Sequence, residues 1–305
     1  DSACFTDDKG NKNIYRLKPA EINPDHEGVD LPHDCLMPVF LQNEINQKPA
    51  KNAPAFWYLD KFTDWLIDDT SSPASLFVGK PGIAALPVEV RTHVAIDAAT
   101  RTNKAAHLFQ TAGIYFSPRQ RKGKGDYYES LPIDQRGWEE AHYGLLMRFS
   151  DNMPDSLRTI GGEARLGQIS NIGNCWPKLS ENLKEKLENA KSFRLHLITP
   201  AIFKNGYLPG FINKESLRGK LGGLEVTLRA AAVPRWQAGA SWAMFNGKGG
   251  KGMRKIQRLV PAGAVYWFDI NSGDAKQLAD CWSASISDEG EKDGYGLIVP
   301  GIWTK

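Results

Sequence analysis

The stretch P-R-W-Q-A-G-A-S-W-A-M-F-N-G-K-G-G-K-G-M-R-K-I-Q-R-L-V-P-A-G-A-V-Y-W-F-D-I, residues 234–270, decides how the chain is read. Two apolar, aromatic segments flank a glycine-lysine loop, the pattern of strands carrying a loop on a sheet. No acidic residue lies between Glu225 and Asp269, whereas seven basic ones do: Arg229, Arg235, Lys248, Lys251, Arg254, Lys255 and Arg258. Glycine lets a backbone approach a phosphate and present its N–H groups. Lysine and arginine neutralise phosphate charge, arginine with two hydrogen bonds at once. Two readings stand: a polyanion-binding loop, or a solvated hairpin tip.

The charge of the whole chain extends this pattern. Its 305 residues carry a net charge of only +3. Residues 1–90 contribute −6, residues 91–270 contribute +12 and residues 271–305 contribute −3. A basic middle between acidic ends points to nucleic acid or another polyanion as partner. The four cysteines, Cys4, Cys35, Cys175 and Cys281, form no Cys-x-x-Cys pair, and a cytoplasmic, reduced chain is expected. No apolar run has the roughly 18 residues that a membrane span needs, and no signal peptide is expected.

Working back to the start, residues 1–54 are rich in Pro, Asn and Asp and read as loop. Phe56, Leu59, Phe62, Leu66 and Ile67 recur at helical spacing, and the stretch Ser71–Leu86 reads as a connector. Residues 91–116 read as two strands joined by a polar turn around Thr100–Asn103. A second basic loop follows, P-R-Q-R-K-G-K-G at 118–125, with no acid between Asp97 and Asp126. Residues 142–149 read as a strand. I-G-G-E-A-R-L-G, residues 160–167, reads as a tight turn leading Arg165 onto a surface. Leu179, Leu183 and Leu187 mark an amphipathic helix with Ser180 as N-cap. Strands follow at 193–198, 224–233, 264–270 and 293–303, with a short helix near 275–284. The sum is an α+β chain of antiparallel sheets.

Familiar catalytic patterns fail. Gly247 to Gly252 has the glycine spacing of a P-loop, but Met253 and Arg254 stand where Lys and Ser/Thr are needed. His33-Asp34 is a lone pair without companion ligands. No Gly-x-Ser-x-Gly elbow occurs. His93 and His107 beside the basic region are candidates for a general base in RNA cleavage, or for structural contacts. His142 and His196 read as structural strand residues. Trp236, Trp242 and Phe245 are placed to stack on bases; Tyr266, Trp267 and Phe268 read as core.

Five stretches in order carry a resemblance: H-V-A-I-D-A-A-T (93–100) followed by A-H-L-F (106–109); I-G-G-E-A-R-L (160–166); L-I-T-P-A-I-F with G-Y-L-P (197–209); V-P-A-G-A-V-Y-W-F (260–268); and D-G-Y-G-L-I-V-P-G-I-W (293–303). They resemble the RAMP proteins of CRISPR effector complexes, in the family of the third subunit of the Cmr (type III-B) complex. The resemblance implies tandem ferredoxin-like (RRM-like) RAMP domains with antiparallel sheets, glycine-rich loops and a protruding β-hairpin. The division implied is 1–190, with a loop and helical insertion, and 191–305. The family's opening strand has no convincing counterpart in 1–54 and is expected upstream or missing.

The function implied is a non-catalytic RNA-binding subunit of a ribonucleoprotein in antiviral defence. It would anchor the 5′ repeat-derived tag of the crRNA and dock onto the large polymerase/cyclase-like subunit and the backbone RAMP subunit, with no cofactor, no metal and no membrane. The expected RNA contacts are Arg101 and Lys104 at the hairpin, Gly161, Gly162 and Arg165 at the turn, and Lys248, Gly249, Gly250, Lys251, Arg254 and Lys255 in the loop. Arg119, Arg121 and Lys122 rank second, and Glu163 is expected to orient Arg165 or cap a turn and not to touch RNA. Two alternatives remain open. One is a metal-independent RAMP endoribonuclease that cuts precursor crRNA with His93 or His107. The other is a basic protein-interaction module without RNA contact.

Overall fold

A computed structural model describes residues 2–6, 12–21, 31–41, 49, 54–67, 82–83, 85–117, 119–121, 138–140, 142–149, 153–160, 165–239, 242–246, 250–253 and 256–305. Antiparallel sheets dominate and helices are few, an α+β architecture. Contacts divide the chain into two compact units, Asp1–Ala84 with Lys178–Lys305, and Ala85–Pro177.

The first unit opens with β1 (Ser2–Thr6), β2 (Lys12–Pro19) and β3 (Val39–Leu41) in one antiparallel sheet. The reading of 1–54 as loop is corrected by these strands. Composition hid them: among the described side chains of β1 and β2, only Cys4, Phe5 and Ile14 are buried, too few for an apolar alternation to stand out. β4 (Phe56–Trp57) pairs with β5 (Gly82–Ile83). Between them α1 spans Leu59–Ile67 and buries Trp65 and Leu66. Phe56, expected in the helix, lies instead on β4 and is exposed.

The second unit contains β6 (Val88–Ile96), β7 (Asn103–Ile114), β8 (Arg119–Arg121), β9 (Trp138–Glu140), β10 (Ser156–Thr159) and β11 (Leu166–Ile169), paired as three hairpins. The expected strand at 142–149 takes no ladder partner among the described residues. Leu145, Leu146 and Met147 are consecutive and exposed, so a strand there would need apolar cover on both faces.

The chain then returns to the first unit. α2 (Glu181–Glu188) starts where expected, with Ser180 Oγ accepting from Leu183 N. Then come β12 (Ser192–Leu197), β13 (Arg218–Leu221), β14 (Leu224–Ala232), β15 (Gln237–Gly239), β16 (Trp242–Asn246), β17 (Gly250–Met253), β18 (Gln257–Leu259), β19 (Val265–Ser272) and β20 (Ile298–Ile302). The expected helix near 275–284 is a 3-10 helix, Ala275–Cys281. The main sheet has the order β13-β14-β19-β12-β20, antiparallel throughout. One face carries Phe193, Leu195, Tyr266, Phe268 and Leu228, packed with Leu183 and Leu187 of α2. The other carries Arg194, His196, Val265 and Trp267. Strand β12 is buried along its full length because both faces are covered. Gly301, opposite Arg194, makes room for α1: a Cβ there would lie 2.9 Å from Leu66 Cδ2.

Buried Arg194 finds an acceptor at the end of α1. Its Nη2 donates to the Trp65 carbonyl, which also accepts from Arg16 Nη2 at 2.9 Å. Carbonyls in the last helical turn lack intrahelical donors and carry partial negative charge, so two guanidinium groups suit this end. The Arg16 guanidinium also lies 4.0 Å over the Trp65 ring.

His196, edge-on to Phe62 at 5.5 Å, shares this environment. Burial first, then the charges of Arg194 and Arg16, hold it well below the ordinary histidine range. Below about pH 6.5 the unfolded chain takes up a proton that the fold refuses, so stability falls with acid by up to about 1.4 kcal/mol per pH unit. Melting temperature is therefore expected to drop between pH 7.5 and 5.5, and His196→Leu to flatten that drop. An equally steep drop in the variant would assign it to other groups.

Candidate nucleic-acid interface

Within the second unit, the hairpin of β6 and β7 carries the candidate interface. Its turn is held by Asp97, whose Oδ1 accepts from Ala99 N and Thr100 N, and whose backbone C=O accepts from Arg101 N at 2.8 Å. These backbone donors, Thr100 first, lower the Asp97 pKa, with further help from the Thr100 hydroxyl. Arg101 stands in the left-handed region at φ 55°, where the closing turn puts it. The expected turn is thus confirmed, and both Arg101 and Lys104 are exposed at it.

The two faces of this hairpin differ. Val88, Val90, Val94 and Ile96 alternate along β6, and Leu108 and Ile114 share their face by register; all are exposed. The opposite face pairs Glu89 with Gly113, Arg91 with Thr111 and His93 with Phe109. Here Arg91 and Glu89 form an ion pair at 2.7 Å, and the hydrogen bond from Arg91 lowers the Glu89 pKa. His93 Nε2 lies 2.9 Å from Thr111 Oγ1 and its ring stacks on Phe109, with centroids 5.2 Å apart.

Arg165 joins this polar face. Its Nη2 donates to Thr111 Oγ1 at 3.1 Å, and a Cβ on Gly113 would stand 1.5 Å from its Nη1. The guanidinium therefore lies across the hairpin where Gly113 has no side chain. Some eight residues of β7 separate Thr111 from the turn, roughly 27 Å of strand. Arg101 and Lys104 thus form one cationic group at the tip, and Arg165 marks a second at the base. Gly113→Ala meets only the far end of a flexible side chain. It is expected to displace Arg165 with a melting temperature within about 2 °C of the parent, while RNA affinity falls several-fold. Unchanged affinity would remove Arg165 from the interface.

The other expected contacts divide between described residues and residues outside them. Gly250 and Lys251 lie on β17, whose backbone pairs with β16. Lys248, Gly249, Arg254, Lys255, Gly161, Gly162, Glu163 and Lys122 lie outside the described residues. The backbone of Arg119 and Arg121 pairs with β9. At the root of the glycine-lysine loop, in the first unit, Arg258 lies 5.2 Å over the half-exposed Trp236 ring. His107 is exposed on β7, and His142 lies 3.4 Å from Ser117 Oγ outside any strand. The four cysteines are free thiols; burial raises the Cys281 pKa to about 11. No group of three or more His, Cys, Asp or Glu among the described residues could hold a metal ion. Among those residues no helix is long and apolar enough to cross a membrane.

Sequence reading passed over Phe109, Thr111, Gly113 and Arg91 as site residues. Their signal was the period-two pattern V-E-V-R-T-H-V-A-I of 88–96, which assigns Glu89, Arg91 and His93 to one face.

Antiparallel α+β sheets bearing a basic, aromatic hairpin fit a CRISPR-associated RAMP protein. A family model described as CRISPR-associated protein (Cas_Cmr3) matches residues 5–303, and the chain belongs to that family, a component of the type III-B (Cmr) effector complex. A comparison with curated proteins finds none that matches.

Proposed function

We propose that this chain is the non-catalytic subunit that anchors the 5′ repeat-derived tag of the crRNA. In the same reading it docks onto the large polymerase/cyclase-like subunit and the backbone RAMP subunit in the cytoplasm. The observation that carries the proposal is the hairpin. Two exposed cations stand at its tip, and a third lies across its base on a face that also bears an aromatic ring. Backbone-held RNA needs such cations, and unpaired bases need aromatic faces. The tandem ferredoxin-like division, 1–190 and 191–305, belongs to this proposal. The main-sheet order, with β19 and β12 central and β14 and β20 flanking them, supports it for the C-terminal part.

The exposed apolar face of the hairpin supports docking, since apolar rows facing water favour a protein partner. The His93 imidazole, engaged by Thr111 and Phe109, supports holding RNA over cutting it. The test is purification from the native host, followed by sequencing of bound RNA and identification of bound subunits. RNA with one fixed 5′ tag, together with RAMP subunits, is expected. Purified chain incubated with precursor RNA without metal should leave it intact; specific cleavage lost in His93→Ala would replace this reading by the nuclease. Equal affinity for tagged RNA and for RNA with a scrambled tag would remove tag recognition from it.

A further inference from the structure

Phe109 is the residue on the hairpin's polar face that charge recognition does not explain. Its neighbours there are Arg91, His93, Thr111 and Arg165. The large aliphatic side chains, Val88, Val90, Val94, Leu108 and Ile114, lie on the opposite face. Yet Phe109 remains 50% exposed. His93 backs it with rings nearly parallel, at 12°. That imidazole is fixed in turn by Thr111, which also receives the Arg165 guanidinium. The ring is thus stacked on His93, the Arg165 guanidinium is bound at the next position on the same face, Thr111, and half of the ring meets water.

We propose that Phe109 is a stacking platform for one unpaired base of the bound RNA, with Arg165 placed for the adjoining phosphate. The inference rests on the reading that this chain binds RNA, and it adds the class of contact: the π-face of a nucleobase, of any identity. An aromatic ring beside a guanidinium is the pairing that single-stranded nucleic acid uses, because every base has a face and every linkage a charge. The His93 stack fixes the ring orientation before RNA arrives, which lowers the ordering cost of binding. Stacking reads no base edge, so exchanging one base for another at the stacked position should matter little. Removing the base should matter much.

The experiment compares the full-length chain with Phe109→Leu and Phe109→Trp on tagged RNAs that each carry one abasic position. Phe109→Leu is expected to weaken binding of intact RNA roughly tenfold. Phe109→Trp should keep the parent affinity. For one abasic RNA alone, the parent and Phe109→Leu should bind equally, because the partner of the ring is already gone. If Phe109→Leu loses the same factor on every abasic RNA, the ring is structural and the proposal falls. If Phe109→Leu binds like the parent while Arg101→Asn with Lys104→Gln is weak, the platform falls and RNA binding stands. If neither variant weakens binding, the RNA reading itself falls, and the platform with it.

Discussion

The triple variant Arg101→Asn, Lys104→Gln, Arg165→Gln is expected to bind tagged RNA roughly 100-fold more weakly at about 0.1 M salt. Each phosphate contact on a single strand contributes about 0.7 to the slope of log affinity against log salt. Three contacts contribute about 2 to that slope, and the same factor of roughly 100 separates 0.1 M from 1 M. The variant should therefore lose affinity and show a shallower salt dependence, with the two curves converging near 1 M. Asparagine is chosen at position 101 because that residue holds φ 55°, a conformation asparagine tolerates and alanine resists. Melting temperature then reports the fold separately from the charge. A control that removes three exposed cations elsewhere, Lys186, Lys214 and Lys276→Gln, makes the same change in net charge. Equal weakening in the control would show that bulk charge, and not the hairpin, attracts the RNA.

The hairpin that carries this prediction was legible because its signals are local. Alternation at Val94 and Ile96, the polar turn and the apolar return strand all lie within residues 91–116, and Asp97 builds the turn from its own neighbours; the strand itself begins three residues earlier, at Val88. The helix at α2 was legible for the same reason, through Ser180 and the leucine spacing. What escaped was long-range. Arg165 reaches its place through Thr111 and Gly113, more than fifty residues earlier, and no local pattern says that a missing Cβ will admit it. Arg194 is a charged residue within a strand, yet it is buried because the end of α1 supplies a carbonyl 129 residues away. Strands β1 and β2 escaped because their few buried side chains are closed by Trp57 and Trp65, which lie far along the chain. The run Tyr266–Phe268 was readable as core, but its place between β14 and β12 is a matter of strand order.

That central strand carries the largest expected loss of stability. Phe268 is fully buried, stacked on Phe193 with centroids 5.3 Å apart and tilted against Phe211 at 6.1 Å. Phe268→Ala removes a ring from a face closed by α2, where Leu183 and Leu187 are themselves fully buried and little can collapse into the gap. Such truncations cost about 3–5 kcal/mol, a large part of the roughly 5–15 kcal/mol that holds a domain together. For a unit of this size each kcal/mol moves the melting temperature by about 2–4 °C, so a fall of roughly 6–20 °C is expected. Phe268→Leu fills most of the space and should fall less. The contrast with Phe109 separates scaffold from site. Phe109→Leu, on the half-exposed ring, should change RNA affinity and barely move the melting temperature. Phe268→Ala should move the melting temperature and, measured on the folded fraction at low temperature, barely change RNA affinity. A melting shift under about 3 °C for Phe268→Ala would mean that the core repacks around the loss. The close packing of α2 against the sheet would then not be what sets the stability of this unit.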